Sequence, residues 1–210
     1  MKRFERLHTL WSAPSKDGDT STVAWFSGGA LLIMASDRLA HAIIALVALV
    51  WVYCLSILAV HAGARIFPRQ GRAALLVLLV SFIASVFIFL LWLLFPLCAL
   101  KMFFIISLIP VICLGSGIFE RVDSLSLVEK TFASFSEAMM LGILLIIFSF
   151  IREPIGFLSL SLPGTAQGLF LLFSFESESF LPIHLVASSS GALLLLGYFF
   201  GLYRILKEEK

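Results

Sequence analysis

Long apolar runs without charge constrain this chain more than any other feature. The run at 73–100 contains no Asp, Glu, Lys or Arg, and similar runs recur along most of the sequence. About 20 consecutive apolar residues are enough to cross a bilayer as a helix. Hydrophobic residues make up 60% of the chain and charged residues 13%, against about 45–50% and about 25% in soluble domains. The sequence therefore predicts an all-α polytopic membrane protein.

Six of the apolar runs are predicted to span the membrane. They cover residues 20–36, 42–60, 73–100, 102–119, 132–151 and 181–203. One more uncharged run, 154–175, has Pro-Gly-Thr-Ala-Gln-Gly at its centre, which favours a loop or an interfacial segment over a seventh span. With six spans, nearly all Lys and Arg residues lie on the side of the N-terminus, and the positive-inside rule then places both termini in the cytoplasm. The exceptions are Arg38, Lys101 and Arg152.

The six spans divide into two halves of three, and an odd number of spans per half makes the second half enter the membrane from the opposite side. This order predicts a 3+3 inverted repeat. The expected segments are a cytoplasmic N-terminal part (1–19), a first repeat (20–100), a second repeat (101–205) with an external or interfacial loop (154–180), and a cytoplasmic tail (206–210).

Glycines interrupt the first span of each half at matching places. Gly28 and Gly29 lie in the first span, and Gly115 and Gly117 lie in the fourth, around Ser116. Paired interruptions of this kind are typical of broken helices that form a midplane site, because irregular backbone inside a membrane must be covered by protein or water. The alternative is that these small residues let helices pack closely.

Three stretches resemble the membrane subunits of the Rnf/Nqr family, in particular the RnfE/NqrD type. They are "FSEAMMLGILLIIFSFIREPIG" (135–156), "FLPIHLVASSSGALLLLGYFFGLYRILKEEK" (180–210) and "SLIPVICLGSGIFERVD" (107–123). The specific parts of this likeness are the pair Arg152 and Glu153, which is followed by Ile155 and Gly156, together with the small-residue last helix and its basic tail. The resemblance implies a multi-pass subunit of an ion-translocating NADH- or ferredoxin-linked electron-transport complex in the bacterial cytoplasmic membrane. It also implies an antiparallel six-span homologue of the RnfA/NqrE type as partner.

The resemblance further implies an iron or iron–sulfur centre between the two subunits, with cysteine ligands from the broken helices. The positions that correspond to those cysteines are Ala30 and Ser116 in this chain. Iron–sulfur clusters are held by thiolates, so the chain departs from the family at both places. Cys113, three residues before Ser116, is a weak candidate for a substitute ligand. A divergent subunit and a paralogue without the metal are both consistent with these differences.

Glu137 is the remaining candidate for a functional side chain, since it lies within the predicted fifth span. A carboxylate there indicates a proton or sodium path; the alternative is that it reaches the interface or pairs with Lys130. His41 and His184 are expected at the interface. The sequence contains no basic stripe with interleaved aromatic residues, which is the pattern that would indicate nucleic-acid binding. It also carries no motif of a self-sufficient enzyme. An accessory subunit, a small secondary transporter and a scaffold protein are the classes left open.

Overall fold

The computed structural model describes residues 35–63, 71–121, 125–164, 169–174, 188, 190–195, 197, 198 and 201. The helices with defined ends are α1 (Leu39–Ala62), α2 (Arg72–Leu94), α3 (Pro96–Gly115), α4 (Ile118–Arg121) and α5 (Leu127–Phe157). Two strands follow, β1 (Ser159–Pro163) and β2 (Leu169–Ser174). They pair antiparallel.

Four helices in the described part of the chain, α1, α2, α3 and α5, are long and apolar enough to cross a membrane. They correspond to the predicted second, third, fourth and fifth spans, and they give the chain its transmembrane character. The first and sixth predicted spans lie mostly outside the described residues, as do Gly28, Gly29 and Ala30. The count of six spans and the inverted repeat therefore stay predictions.

The boundary between the predicted third and fourth spans was misplaced. The third span ends at Leu94 rather than at position 100, and the fourth begins at Pro96 rather than at position 102. Proline has no N–H to continue a helix but suits the first helical position, and it disfavours the helical conformation in the residue before it. Phe95 accordingly has φ −140° and ψ 72°. Hydropathy did not reveal this turn, because the run at 73–100 contains no charged residue.

Helix α3 ends where the glycines of the predicted fourth span lie. Ser116 and Gly117 form a turn after Gly115, and Gly117 has φ +66°, a left-handed conformation that favours glycine. A helix of 20 residues is about 30 Å long, which is close to the thickness of the hydrocarbon core. The interruption therefore lies at one end of this span, and not at its middle as a midplane break requires.

The segment predicted as a loop from position 154 onward is more ordered than expected. Helix α5 continues through Pro154 to Phe157, and Leu158, with φ 53°, ends it by donating its N–H to the Pro154 carbonyl at 3.1 Å. The hairpin of β1 and β2 follows directly. The all-α prediction is wrong to this extent, because the chain adds a small antiparallel sheet to its helices.

The core lies where α1 packs along α5 and against the hairpin of α2 and α3. Gly142 permits the close approach of α1 and α5, since a Cβ at this position would lie 1.8 Å from Leu46 Cδ1. Strand β1 packs against both of these helices. Many large apolar side chains on α2 and α3 remain exposed, which is typical of helices that face lipid or other membrane subunits.

Candidate functional site

The structure brings several of the predicted site residues together at the C-terminal end of α3. Cys113 is fully buried, and the Ser116 hydroxyl donates to its carbonyl at 2.9 Å. Glu137 is half-buried on α5, close enough to Cys113 for the carboxylate and the thiol to interact electrostatically. Gly115 and Gly117 flank Ser116 in the same turn. We call Cys113, Ser116 and Glu137 the α3-end site.

The residues of the α3-end site do not fit an iron centre by themselves. Within the described residues, no group of three or more His, Cys, Asp or Glu side chains could hold a metal ion. Cys113 is one thiol, whereas an iron–sulfur cluster is typically held by four cysteine ligands. Ala30, the other position implied by the resemblance, lies outside the described residues and has no ligating atom.

A second polar site lies near the C-terminal end of α5. It contains Arg152 and Glu153, which stand out in the sequence only through the resemblance to the Rnf/Nqr family. Arg152 and Glu153 have no exposed surface, although they follow an apolar run and would ordinarily be expected to face water. The Arg152 guanidinium donates to the Ser36 hydroxyl and, at 3.0 Å, to the carbonyl of Ser188. One side chain thus joins the segment before α1, the end of α5 and the segment before residues 190–195.

Glu153 closes the N-terminal end of α1. Its Oε2 accepts the backbone N–H of Leu39, the first residue of α1, at 2.7 Å. Arg38, the residue before the helix, makes no side-chain cap hydrogen bond. The amides at a helix N-terminus need acceptors and carry a partial positive charge that favours an anion. A carboxylate from a distant helix therefore performs here the role that a local Ser, Thr, Asp or Asn usually performs.

Asp37, two residues before α1, and His41, in the first turn of α1, extend this second site. Asp37 Oδ1 lies 2.7 Å from His41 Nδ1 and also accepts the backbone N–H of Arg38 at 2.8 Å. Two buried atoms nearby, Nε2 of His41 and Oε1 of Glu153, have no hydrogen-bond partner among the residues that the structure describes. We call Ser36, Asp37, His41, Arg152 and Glu153 the ionic cluster.

The two sites are well separated along α5. Glu153 lies sixteen positions after Glu137 on α5, which at 1.5 Å per residue is a distance of about 24 Å. In a helix that crosses a membrane, this separation puts the sites near opposite faces of the bilayer. Charged groups that are buried among apolar helices are costly unless they are paired or hydrogen-bonded. The contacts of Arg152 and of Glu153 Oε2 meet this requirement, whereas Oε1 of Glu153 has no partner among the described residues.

The sequence carried a weak signal for the ionic cluster. Asp37 and His41 are four residues apart, as a side-chain pair on one helical turn requires, and Arg152 and Glu153 are adjacent at the end of an apolar run. Nothing in the local sequence indicates that Arg152 and Glu153 point inward, because that depends on the packing of α5 beside the start of α1.

No protein-family model matches the chain, and no curated protein matches it at a significant level. The helices and the buried charges define the class as a membrane protein with polar sites inside an apolar bundle.

Proposed function

We propose that the protein is an integral membrane subunit of an ion-translocating, NADH- or ferredoxin-linked electron-transport complex of the Rnf/Nqr type. The observation that carries the proposal is the position of Arg152 and Glu153. This pair, one of the specific parts of the resemblance, is fully buried and joins three segments of the chain. A sequence likeness at residues on which the tertiary structure depends is stronger support than a likeness at exposed positions.

The arrangement of the polar sites suits a subunit that walls an electron or ion passage. Ionisable residues inside membrane segments mark ion or proton paths by default. Among the described residues, Glu137 on α5 and the ionic cluster at the C-terminal end of the same helix are groups of this kind. The exposed apolar surface of α2 and α3 leaves room for a neighbouring subunit. In this proposal the neighbour is an antiparallel six-span homologue of the RnfA/NqrE type.

Ion pumping by membrane vesicles tests this proposal. Inverted vesicles from cells that lack this chain should lose NADH- or ferredoxin-driven ion uptake, and the wild-type chain should restore it. Glu137→Gln should restore assembly but reduce ion uptake, whereas Glu129→Gln, the same change at an exposed position of α5, should restore both. Ion uptake that is undiminished without the chain would contradict the proposal.

A small secondary transporter is the second candidate, and one observation favours it. His41 Nε2 and Glu153 Oε1 are buried and have no partner within the described residues, so both atoms are available to bind a proton or a solute. The chain, purified alone and reconstituted in liposomes with an entrapped pH-sensitive dye, would then conduct protons under an imposed potential. His41→Gln would abolish this flux. Liposomes that are no more permeable with the chain than without it would exclude this candidate.

A further inference from the structure

The hairpin after α5 has an unusual pattern of burial, in which a polar side chain points inward and apolar side chains point outward. Strand β1 reads Ser-Leu-Ser-Leu-Pro, and its central Ser161 is fully buried while Leu160 and Leu162 on either side are partly exposed. Since successive side chains of a strand point to opposite faces, Ser161 faces α1 and α5, and Leu160 and Leu162 face away from these helices. A hairpin that faces water shows the reverse, with apolar residues inward and polar residues outward.

A bulge in β2 strengthens the apolar outer face. Leu160 pairs with Phe173 and Leu162 pairs with Phe170, and the register shifts between Leu160 and Ser161, so that Leu172 is the extra residue. Directly paired residues lie on the same face of a sheet. Residues three apart in a regular strand would lie on opposite faces, and the bulge brings Phe170 and Phe173 to one face.

The outer hairpin face therefore consists of four large apolar side chains, Leu160, Leu162, Phe170 and Phe173. Phe170 is 61% exposed and Phe173 is 63% exposed. Neither strand contains a charged residue, so the outer face can enter the lipid interface without burying a charge.

The hairpin is placed where such a face would meet lipid. Helix α5 has 31 residues and is about 46 Å long, which exceeds the hydrocarbon thickness of about 30 Å and brings its end to the interface. Strand β1 begins two residues after that end. Within the described residues the sheet has two strands, and the free edge of a sheet needs water, so the hairpin belongs in the headgroup region rather than in the hydrocarbon core.

Arg38 lies beside the base of the hairpin and supplies a positive charge that complements a lipid phosphate. Its guanidinium lies 4.7 Å from the centre of the Phe157 ring, and it forms no ion pair with a carboxylate of the described residues. The side chain is partly exposed. An arginine beside an aromatic ring at the end of a membrane helix is typical of an interfacial anchor, and a guanidinium recognises phosphate.

We propose that the outer hairpin face is a phospholipid-binding surface that lies in the membrane interface, with Arg38 contacting the lipid phosphate. The four apolar side chains contact the glycerol and the upper acyl chains. This role is independent of any partner subunit, and it holds whether or not the chain belongs to an electron-transport complex.

Photo-crosslinking in native membranes tests the proposal on the full chain. Phe170 and Phe173 are replaced in turn by p-benzoylphenylalanine, and the adducts formed on irradiation are identified by mass spectrometry. Phe82, which is 68% exposed on α2, serves as the membrane-facing control, and unirradiated samples serve as blanks. Phospholipid adducts at positions 170 and 173 are expected, with yields within about threefold of the yield at position 82.

The adduct pattern decides between the possible occupants. Crosslinks from positions 170 and 173 to another polypeptide would overturn the proposal, and so would the absence of adducts while position 82 still gives lipid adducts, because the face would then be exposed to water. The role of Arg38 is read from the adducts of Phe173→p-benzoylphenylalanine. Arg38→Gln should lower the share of anionic phospholipids among them at least twofold, and an unchanged share would remove the phosphate contact from the proposal.

Discussion

Glu153→Ala removes the acceptor that closes the N-terminal end of α1. The wild-type carboxylate receives the Leu39 N–H at 2.7 Å from a position with no exposed surface. After the substitution this amide has no replacement among the described side chains, because the residue before the helix does not cap it. The first turn of α1 should then fray, and with it the contact between α1 and the end of α5.

The expected loss of stability follows from two contributions. A buried N–H without a partner costs about 1–3 kcal/mol, and a partly buried anion at a helix N-terminus contributes up to about 2 kcal/mol. Relief of the desolvation of a buried charge offsets part of this sum. We expect Glu153→Ala to lower the free energy of unfolding by about 3 kcal/mol. Glu153→Gln keeps an acceptor oxygen without the charge and should lose about 1 kcal/mol.

Equilibrium unfolding of the purified protein by SDS in mixed micelles, followed by tryptophan fluorescence, measures these differences. Glu129→Gln is the matched control, since it makes the same chemical change at an exposed position of α5. Glu129 accepts the Ser126 N–H in the capping box of α5, and glutamine keeps an acceptor there, so this variant should lose about 0.5 kcal/mol or less through the missing charge. A free energy of unfolding for Glu153→Ala that equals wild type, or equal losses for the alanine and glutamine variants, would refute the capping role of Glu153.

Three further substitutions test other parts of the packing by the same unfolding measurement. Arg152→Lys keeps the charge but not the planar fork that donates to a hydroxyl and a carbonyl on two other segments, and should lose about 2–4 kcal/mol; a wild-type midpoint would show that charge alone suffices. Gly142→Ala places a Cβ 1.8 Å from Leu46 Cδ1 and should lower the free energy of unfolding by about 1–3 kcal/mol. Gly197→Ala is its control, because a Cβ there meets nothing within 4 Å, and it should not lower the free energy of unfolding. Equal effects of the two variants would argue against close packing of α1 and α5. Gly117→Ala meets no atom either but has φ +66°, so it should lose about 1 kcal/mol through the backbone alone, and a stabilised variant would contradict this conformation.

Hydropathy predicted the transmembrane helices because their apolar character is a local property of the sequence. Helices α1 and α5 include the spans predicted at 42–60 and 132–151 and extend beyond them at both ends. The turn at Phe95 was missed, since proline can either kink a long apolar helix or end it, and hydropathy does not distinguish these outcomes. At Pro154 the error is the opposite one, because a loop was predicted from this proline onward and α5 continues through it to Phe157.

The inward direction of Arg152 and Glu153 could not be predicted, for a different reason. Charged residues at the end of an apolar run usually reach water, and only the position of α1 beside α5 provides the partners that let them be buried. The hairpin shows the same dependence on distant contacts. The alternation of Ser and Leu in β1 is visible in the sequence, but which of the two faces the protein depends on where α1 and α5 lie.

The subunit composition of the complex that is extracted from native membranes tests most directly whether this chain belongs to an electron-transport complex. A tag on this chain, mild detergent extraction and native mass spectrometry should yield a stoichiometric assembly that contains an antiparallel six-span homologue and flavin-bearing redox subunits. Recovery of this chain alone, or only as a complex of identical copies, under conditions that preserve other membrane complexes of the same cells would contradict the account.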